Sequence, residues 1–338
     1  MIEDRLLEIS EGKYRELDMP SYSLLSSIST HGIDVLGGEL NIGFSLKFGS
    51  LVDDICFTPS VVNDKYYRGS ASTINSGNPK KIIDAVLANC NESSAAGLAY
   101  YEKEIIAAAK SLGVYAKYDD AKILSTILID KNENYFKDKI SSIGKIHIKN
   151  DMWEQAVYAA NTLKTHPFTE MYFQDWENIQ TIYQYKFVVD INGVMVKGML
   201  DALLVNHEEK VVLPVDLKTG EVSSNDFNRS FLDYKYYLQA SLYRLALLSI
   251  VENDPDLEGY TVADFEFVYL SKINLNKPVI KVVNQDLYEK GLNGFTDSFG
   301  VKHKGVYELL EIYKDYSENK RMYESKVYKN FGRSYLEI

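Results

Sequence analysis

Cysteine is scarce in this chain, with two residues among 338, Cys56 and Cys90. An iron–sulfur cluster held by four thiolates is therefore excluded. Both cysteines stand in apolar or helical stretches, so we expect reduced core thiols of an intracellular protein. No run approaches the roughly 20 apolar residues that a membrane span needs. The first eight residues also lack the basic region and apolar core of a secretory signal. These absences predict a cytoplasmic protein that does not engage a membrane.

A positive net charge is also absent. The 48 acidic residues outnumber the 37 basic ones and leave a net charge of −11. Such an exterior repels phosphates at long range, which by itself argues against a nucleic-acid partner. Affinity for a phosphate backbone depends, however, on the particular lysines and arginines that face it. Candidate local clusters are Lys80-Lys81, Lys145 with His147 and Lys149, Lys302-His303-Lys304, and Lys326 with Lys329 and Arg333. For any single cluster, a solvated surface is the simpler interpretation.

The strongest signal that the chain does contain is a series of three predicted strands between Ile179 and Gly220. Residues 179–190 alternate polar and apolar side chains, which is the pattern of a half-buried strand. Asn192-Gly193 favours a two-residue hairpin turn, and residues 194–205 return as the second strand. A polar turn over residues 207–210 leads to a third strand over 211–217, which is apolar on both faces.

Three charged side chains interrupt these apolar strands: Asp201, Asp216 and Lys218. Charged groups are seldom buried unless they are paired or bind an ion. Asp216 and Lys218 are two residues apart, so they face the same side of one strand. If Asp201 lies on the neighbouring strand, two carboxylates and an ammonium meet at one point. Carboxylate oxygens suit a hard cation such as Mg²⁺, although an ion pair on a surface hairpin would explain the Asp-Leu-Lys alone.

This arrangement, Asp201 and then Asp216-Leu217-Lys218, resembles the signature of the PD-(D/E)XK nucleases, in which an Asp and an Asp-x-Lys come from adjacent strands. The local sequences are similar to the branch that contains the RecB nuclease domain, lambda exonuclease and the RecE-like exonucleases. Two further segments resemble motifs of that branch. Residues 48–54 (Phe-Gly-Ser-Leu-Val-Asp-Asp) resemble its Gly-Thr-x-x-His motif, and residues 237–243 resemble its Gln-x-x-x-Tyr motif.

The resemblance implies a metal site for Mg²⁺ or Mn²⁺ and a catalytic lysine. The expected metal ligands are Asp53, Asp201, Asp216 and the backbone carbonyl of Leu217. Lys218 would position the attacking water.

Gln239 and Tyr243 of the Gln-x-x-x-Tyr motif would hold their helix, and the substrate strand, against the site. Two positions depart from the pattern of the branch. Asp53 stands where relatives usually carry a histidine, and its carboxylate still suits a hard metal. Gln184 stands where many relatives carry a glutamate, and its neutral amide oxygen would be a weaker ligand.

The fold class implied is α/β, with a PD-(D/E)XK restriction-endonuclease-like core in which helices flank a central mixed sheet. We expect a single nuclease domain over residues 1–338. Its mainly helical part, residues 1–175, carries the first motif, and residues 176–338 carry the sheet, the Gln-x-x-x-Tyr helix and C-terminal helices. Helices are predicted over residues 20–31, 44–57, 80–91, 95–112, about 120–140, 152–165, 230–252 and 287–325. Residues 58–79 are predicted as a mobile loop, and two further strands are predicted over 262–270 and 279–283.

The function implied is Mg²⁺-dependent hydrolysis of DNA phosphodiester bonds by an exonuclease that acts on DNA ends in recombination or repair. The resemblance also implies a ring-forming homo-oligomer, a single-strand annealing or binding protein as partner, and the cytoplasm of a bacterium or a phage-infected cell. Two alternatives stay open at this point. One is a structure-specific endonuclease of the same fold, and the other is an inactive nuclease-fold module that binds DNA or a protein.

Overall fold

The structure is a computed structural model, and it describes residues 9–36, 47–69, 77–89 and 97–323. The chain divides into two compact units. The first consists of Met1–Phe57 together with Tyr158–Ile338, and the second of Thr58–Val157. The expectation of a single nuclease domain stays a prediction. Within the described ranges, no helix is both long and apolar enough to cross a membrane.

The helices are, in chain order, α1 (Glu11–Glu16), α2 (Tyr22–His31), α3 (Lys47–Phe57), α4 (Val62–Lys65), α5 (Asn78–Leu87), α6 (Glu102–Ser111), α7 (Asp120–Ile127), α8 (Asp130–Ser141), α9 (Asn150–Thr165), α10 (Phe227–Asp233), α11 (Tyr236–Asn253), α12 (Gln285–Asn293), α13 (Val306–Glu318) and α14 (Lys320–Tyr323). The strands are β1 (Tyr66–Arg68), β2 (Ile146–Ile148), β3 (Ile179–Ile191), β4 (Val194–Asn206), β5 (Val211–Gly220), β6 (Thr261–Val262), β7 (Phe265–Ser271), β8 (Val279–Val283), β9 (Phe295–Thr296) and β10 (Lys302–His303).

A six-stranded mixed sheet forms the centre of the first unit, with the order β3-β4-β5-β7-β8 and with β6 beside β5. Strands β3, β4 and β5 are antiparallel neighbours. Strands β5 and β7 are parallel, and the crossover between them contains α10 and α11, as parallel neighbours require. Asn192 and Gly193 have φ angles of 54° and 79°, which is the geometry of the predicted hairpin turn. The predicted mixed sheet with flanking helices is therefore confirmed.

One apolar core joins the sheet to five helices of the first unit, α2, α10, α11, α12 and α13. Leu200 from the sheet is buried in it together with Leu25 of α2, Leu242 of α11, Leu292 of α12 and Leu309 of α13. Truncating one such leucine to alanine would cost about 2–5 kcal/mol of stability. This packing fixes α11 against the sheet, and α11 carries the Gln-x-x-x-Tyr motif.

The second unit is mainly helical, as predicted for the N-terminal half of the chain. Helices α5 to α8 share an apolar core to which Ile83, Ile105 and Phe136 contribute, while β1 and β2 form a short parallel pair. The sequence offers Asp119 or Asp120 as a helix cap, and in the structure Asp119 accepts a hydrogen bond from the backbone N–H of Lys122 at 2.7 Å. This hydrogen bond satisfies one of the backbone N–H donors that have no partner within the first helical turn.

Two predictions for this half of the chain are wrong in part. The helix predicted from about 120 to 140 is two helices, because Leu128 and Ile129 leave helical geometry between α7 and α8. The segment 58–79, predicted as a mobile loop, contains α4 and β1 and the start of α5. Residues 70–76 of that segment, residues 44–46 of the predicted helix over 44–57, and Cys90 lie outside the described residues.

Two predictions for the C-terminal half are also wrong in part. The helix predicted over 230–252 is interrupted at Lys235, whose φ of 57° is left-handed, so Tyr234 projects outward instead of joining an apolar stripe. The helix predicted over 287–325 ends before Gly294, whose φ is 81°. His303 then lies in β10 and pairs with Phe295 of β9.

Candidate active site

Adjacent strands bring Asp201 and Asp216 together. Ala202 of β4 pairs with Val215 of β5, and the two aspartates are the next residues on their strands, just beyond this pair. The backbone N–H of Leu217 donates to Oδ2 of Asp201 at 2.8 Å. Asp216 is buried, and it therefore needs a compensating partner.

That partner is Lys218, which lies on the same face of β5 with its Nζ 2.5 Å from Oδ2 of Asp216. The rings of Tyr236 and Phe267 lie 4.8 and 5.8 Å from the same Nζ. Burial disfavours the charged ammonium, but the interactions with Asp216 first, and then with Tyr236 and Asp201, outweigh this effect and raise the pKa of Lys218 well above its usual value. Lys218 is therefore a cation at neutral pH.

A third carboxylate comes from α3. The close approach of this helix to β5 depends on Gly49, where a Cβ would lie 3.0 Å from Oγ1 of Thr219. One helical turn later, Asp53 interacts electrostatically with Asp201 and Asp216. Burial is the largest cause of its shift, and together with these two charges it raises the pKa of Asp53 well above its usual value.

Asp201 experiences the same imbalance of charge. Burial and then the charge of Asp216 raise the pKa of Asp201 to about 7. The ammonium of Lys218, the N–H of Leu217 and a hydrogen bond from the side chain of Gln184 only partly oppose this shift. Three carboxylates thus share one lysine, and the raised pKa values of Asp53 and Asp201 follow because this lysine does not balance all three groups when they are ionised.

Gln184 lies in β3 between Tyr183 and Tyr185, which pair with Ala202 and Leu200 on either side of Asp201. Its backbone has a φ of 53°, which is uncommon for a residue other than glycine and costs on the order of 1–3 kcal/mol. Gln184 is predicted to lie beside the site, and in the structure its side chain lies against the carboxylate of Asp201. The contact is a hydrogen bond to the Asp201 carboxylate.

Helix α11 holds both strands of the site with two buried side chains that lie four residues apart. Nε2 of Gln239 donates to Oδ1 of Asp216 at 2.6 Å. The hydroxyl of Tyr243 accepts a hydrogen bond from the backbone N–H of Met199 on β4. The two motif residues therefore fix the relative positions of β4 and β5, and with them the two aspartates.

Gly198, three residues before Asp201, has a packing role. A Cβ at this position would lie 2.0 Å from Cζ of Phe187, so the phenyl ring covers the glycine directly. The same ring packs edge to face against Tyr243, with ring centroids 5.4 Å apart. The glycine of the Gly-x-x-Asp segment thus lets an aromatic side chain support β4 beneath the site.

The donor chemistry of the site fits a hard divalent cation. Among the described residues, there is no cluster of three or more histidine, cysteine, aspartate or glutamate side chains that could hold a metal by itself. Mg²⁺ commonly takes one or two carboxylates and retains several waters, so Asp201 and Asp216 suffice as its protein anchors. The thiol of Cys56 is free and buried, as predicted. Burial raises the pKa of this thiol to about 12, so it is protonated at neutral pH in the metal-free protein.

The basic clusters considered as phosphate contacts are largely paired within the protein. The partners are Asp84 for Lys80, the carbonyl of Asn63 for Lys145, Asp297 for His303, and Glu308 for Lys302 and Lys304. For Lys80 and for the cluster at residues 302–304, these acidic partners support the simpler interpretation of a self-neutralised surface. Residues 326–333, which contain the fourth, lie outside the described part of the chain.

The sequence analysis missed the aromatic side chains that surround Lys218. Tyr22 of α2 is close enough to interact with the ammonium, and Tyr236 and Phe267 face it from α11 and β7. The available signal was the run Tyr234-Lys235-Tyr236-Tyr237 immediately before the Gln-x-x-x-Tyr segment. The position of Tyr22, more than 190 residues away in sequence, gave no such signal.

A family model described as a PDDEXK-like domain of unknown function (DUF3799) matches residues 31–300. The chain belongs to this family. The resemblance to the PD-(D/E)XK nucleases is therefore confirmed, and the matched range contains every residue of the site described above except Tyr22.

Two solved structures are similar to this PDDEXK-like chain. One is described as a "putative exonuclease" from Eubacterium rectale, with 12% identity, coverage of 98% of this chain and 96% of that one, and a TM-score of 0.43. The other, SSO0001, has 13% identity, coverage of 73% and 85%, and a TM-score of 0.23. No curated protein matches the chain.

Proposed function

We propose that this PDDEXK-like protein is a Mg²⁺-dependent deoxyribonuclease that degrades DNA from its ends. One observation supports this above the others. Asp201, Asp216 and Lys218 lie together on neighbouring strands, where two carboxylates share one ammonium and the pKa of Asp201 is raised to about 7. A cluster of this kind has no structural benefit by itself, because buried carboxylates that lack compensation destabilise the fold.

The proposed ligands of the cation are Asp201, Asp216 and the backbone carbonyl of Leu217. Asp53 on α3 interacts electrostatically with both aspartates, and we propose it as a further ligand. All of them are hard oxygen donors, which suit Mg²⁺ and also accept Mn²⁺. When bound, the cation supplies Lewis-acid polarisation of the scissile phosphate.

The proposed role of Lys218 is to donate hydrogen bonds to the phosphate or to the attacking water. Because its pKa is raised well above the usual value, this lysine acts as a proton donor and a fixed positive charge, and it does not serve as a base. A preorganised cation at this position stabilises the negative charge that develops on the phosphate in the transition state. Gln239 and Tyr243 act as positioning residues, because they contact Asp216 and the backbone of Met199.

Exonuclease activity is the more specific part of the proposal. It is supported by the similarity of the four motifs to the RecB, lambda exonuclease and RecE-like branch. Enzymes of that branch thread one strand past the metal site, and threading requires a DNA terminus. A homo-oligomer and a single-strand annealing protein as partner belong to the same proposal.

The test uses one DNA sequence in two forms, linear duplex and covalently closed circle, incubated with Mg²⁺, with Mn²⁺ or with a chelator. The proposal predicts that linear DNA is consumed to short products in the presence of metal while the circle persists. Activity should decrease steeply from low to physiological salt, because the contacts with the backbone are electrostatic.

Rapid cutting of the closed circle would favour the endonuclease alternative. Absence of cleavage of either DNA with both metals would favour the inactive module, for which the replacement of a histidine by Asp53 and of a glutamate by Gln184 are the motivating observations. Lys218→Ala is the matched negative control, because it removes the ammonium and leaves the three carboxylates in place.

A further inference from the structure

The junction between α10 and α11 lies beside Lys218, and the proposed chemistry does not use it. Tyr236, the first residue of α11, places its ring 4.8 Å from Nζ of Lys218. Two other rings stack on Tyr236. The ring of Phe227 lies 6.0 Å from it with an interplanar angle of 24°, and the ring of Tyr234 lies 5.6 Å from it at 28°. Phe227 is buried, whereas Tyr234 is 56% exposed. The stack therefore begins in the core and ends at the surface with a tyrosine.

The backbone of this junction is held in an unusual conformation. Lys235 has a φ of 57°, a left-handed geometry that is unfavourable for a residue with a side chain. The hydroxyl of Tyr22 donates to the carbonyl oxygen of Tyr234 at 2.6 Å, which fixes the turn from the side of α2. An unbroken helix would avoid the left-handed residue. Non-glycine residues in such conformations cluster at functional sites, where surrounding contacts maintain them.

The consequence of the turn is that the exposed ring of Tyr234 stacks on the ring that lies against the catalytic ammonium, and the half-exposed Lys235 is the next residue in the chain. Tyr234 is separated from Lys218 by a single ring, that of Tyr236. Base–aromatic stacking tolerates every base, because each base has a π-face. An exposed tyrosine beside a lysine therefore matches an unpaired nucleotide, with the ring for the base and the ammonium for the phosphate.

We propose that Tyr234 and Lys235 form a subsite for one unpaired nucleotide of a single DNA strand, with the base stacked on Tyr234 and the phosphate paired with Lys235. This inference rests on the proposed nuclease function, because it assigns the nucleotide to the strand whose phosphate lies at Lys218. The subsite predicts that the enzyme binds a strand whose end is unpaired, without preference for sequence.

The first test measures equilibrium binding in a chelator, so that no cleavage is needed. The probe is a single-stranded oligonucleotide of about 12 nucleotides with a fluorescent base analogue near its end. Tyr234→Leu should weaken binding about 5- to 20-fold, the lower part of the range for base–aromatic stacking. Tyr234→Phe keeps the ring and should stay within about 2-fold of the wild type. Because Tyr234 is largely exposed, both variants should keep the thermal midpoint of the wild type.

The second test uses the conformation of Lys235. Lys235→Gly relieves the left-handed strain, so the thermal midpoint should stay constant or rise, while binding weakens about 3- to 10-fold. The salt dependence of binding should also become shallower, because one phosphate contact is lost. Lys210→Gly is a matched control. Lys210 also has a left-handed φ, 54°, and its Nζ donates to the carbonyl of Glu258. Lys210 immediately precedes β5 and is six residues before Asp216. That variant should bind the oligonucleotide as the wild type does.

The outcomes separate this inference from the nuclease proposal. If the wild type cleaves DNA and Tyr234→Leu leaves both the dissociation constant and KM unchanged, the subsite is wrong and the nuclease stands. If the wild type binds the oligonucleotide through Tyr234 and cleaves nothing with Mg²⁺ or Mn²⁺, the subsite is supported and the nuclease proposal fails. If the wild type does not bind single strands even at low salt, the subsite is overturned.

Discussion

Two lysine–aspartate pairs in this protein have the same length and opposite surroundings. Lys80 and Asp84 lie on the surface of α5, 2.5 Å apart, with 42% and 40% of their side chains exposed. Lys218 and Asp216 lie in the sheet, also 2.5 Å apart, with 18% and 4% exposed. On α5 one lysine serves one aspartate, and despite partial burial the hydrogen bonds from Lys80 and Tyr135 lower the pKa of Asp84. In the sheet one lysine serves three carboxylates, and the pKa values of Asp53 and Asp201 are raised.

The difference shows how to distinguish a structural ion pair from a functional one in this fold. The distance between the charges does not distinguish the two pairs, since it is the same in both. The pairs differ in burial and in the number of carboxylates that share the lysine. A surface pair contributes little to stability because water screens it, whereas a buried excess of carboxylates opposes folding until a cation neutralises it. The four predictions below test this contrast, in order of decreasing effect.

The largest effect should follow removal of the buried lysine. Lys218→Ala should reduce the rate of cleavage of linear DNA by at least about 10²–10³-fold, the usual loss when one preorganised donor to the transition state is removed. Lys80→Ala, the matched surface variant, should stay within about 2-fold of the wild type. The measurement is the initial rate of cleavage at saturating Mg²⁺. Similar losses of rate in both variants would contradict a special role for the buried pair.

The second effect concerns stability and pH in metal-free protein. The pKa of Asp201 is about 7 in the folded state, against an ordinary value of 3.8. A raised pKa means that the contribution of this group to stability is fully present below pH 3.8 and is lost as pH rises through about 7. The loss should be on the order of 2–4 kcal/mol.

Thermal unfolding in a chelator between pH 4.5 and 8 measures this loss. Asp201→Asn should flatten the decline, and Mg²⁺ should restore more stability to the wild type at pH 8 than at pH 5, since binding to the folded state stabilises it. Asp84→Asn provides the contrast, because its folded pKa is lowered and its removal should not flatten the decline. A wild type whose stability is level over this range would contradict the assignment of excess buried charge.

A third, intermediate effect should follow changes in α11. Gln239→Leu removes the donor to Asp216, so the carboxylate should lose its orientation, and the rate should decrease about 10- to 100-fold, as commonly seen when an outer partner of a metal ligand is lost. Tyr243→Phe removes one hydrogen bond to β4, worth about 0.5–1.5 kcal/mol of stability. Both variants should still bind DNA with the affinity of the wild type. A positioning role further predicts that excess Mg²⁺ partly restores the rate of Gln239→Leu, and a rate that does not respond to Mg²⁺ would count against it.

The smallest effect concerns metal preference. Carboxylates favour Mg²⁺, whereas imidazole favours softer transition metals. Asp53→His should therefore shift the ratio of the Mg²⁺- to the Mn²⁺-supported rate towards Mn²⁺ by several-fold. Asp54→His, at the neighbouring position on α3, is the control. An unchanged ratio in the Asp53 variant would mean that Asp53 does not contact the metal.

Sequence reasoning predicted the hairpin of the site because local rules determine it. Side chains alternate with a period of two along β3 and β4, and the Asn192-Gly193 turn sets their register. The turn over residues 207–210 sets the register of β4 against β5, in which Ala202 pairs with Val215 and Asp201 comes to lie beside Asp216. The spacing of four between Gln239 and Tyr243 likewise follows from helix geometry.

The remaining features depend on contacts between distant parts of the chain. The left-handed turn at Lys235 is supported by Tyr22, and helix propensity alone favours an unbroken helix there. The strained backbone of Gln184 accompanies its hydrogen bond to Asp201. The hairpin of β9 and β10 depends on close packing between Gly294 and Gly305, which no local pattern indicated. In each case tertiary structure overrides local preference.

The most direct test of the central claim is a calorimetric titration of metal-free protein with Mg²⁺ or Mn²⁺ at pH 7, in two buffers with different heats of ionisation. If the buried carboxylates form the cation site, the wild type should bind metal and release a fraction of a proton, because the pKa of Asp201 is about 7 and binding requires the ionised form. Asp201→Asn should bind at least 10-fold more weakly and release fewer protons. Equal affinity and equal proton release in the two proteins would contradict the account.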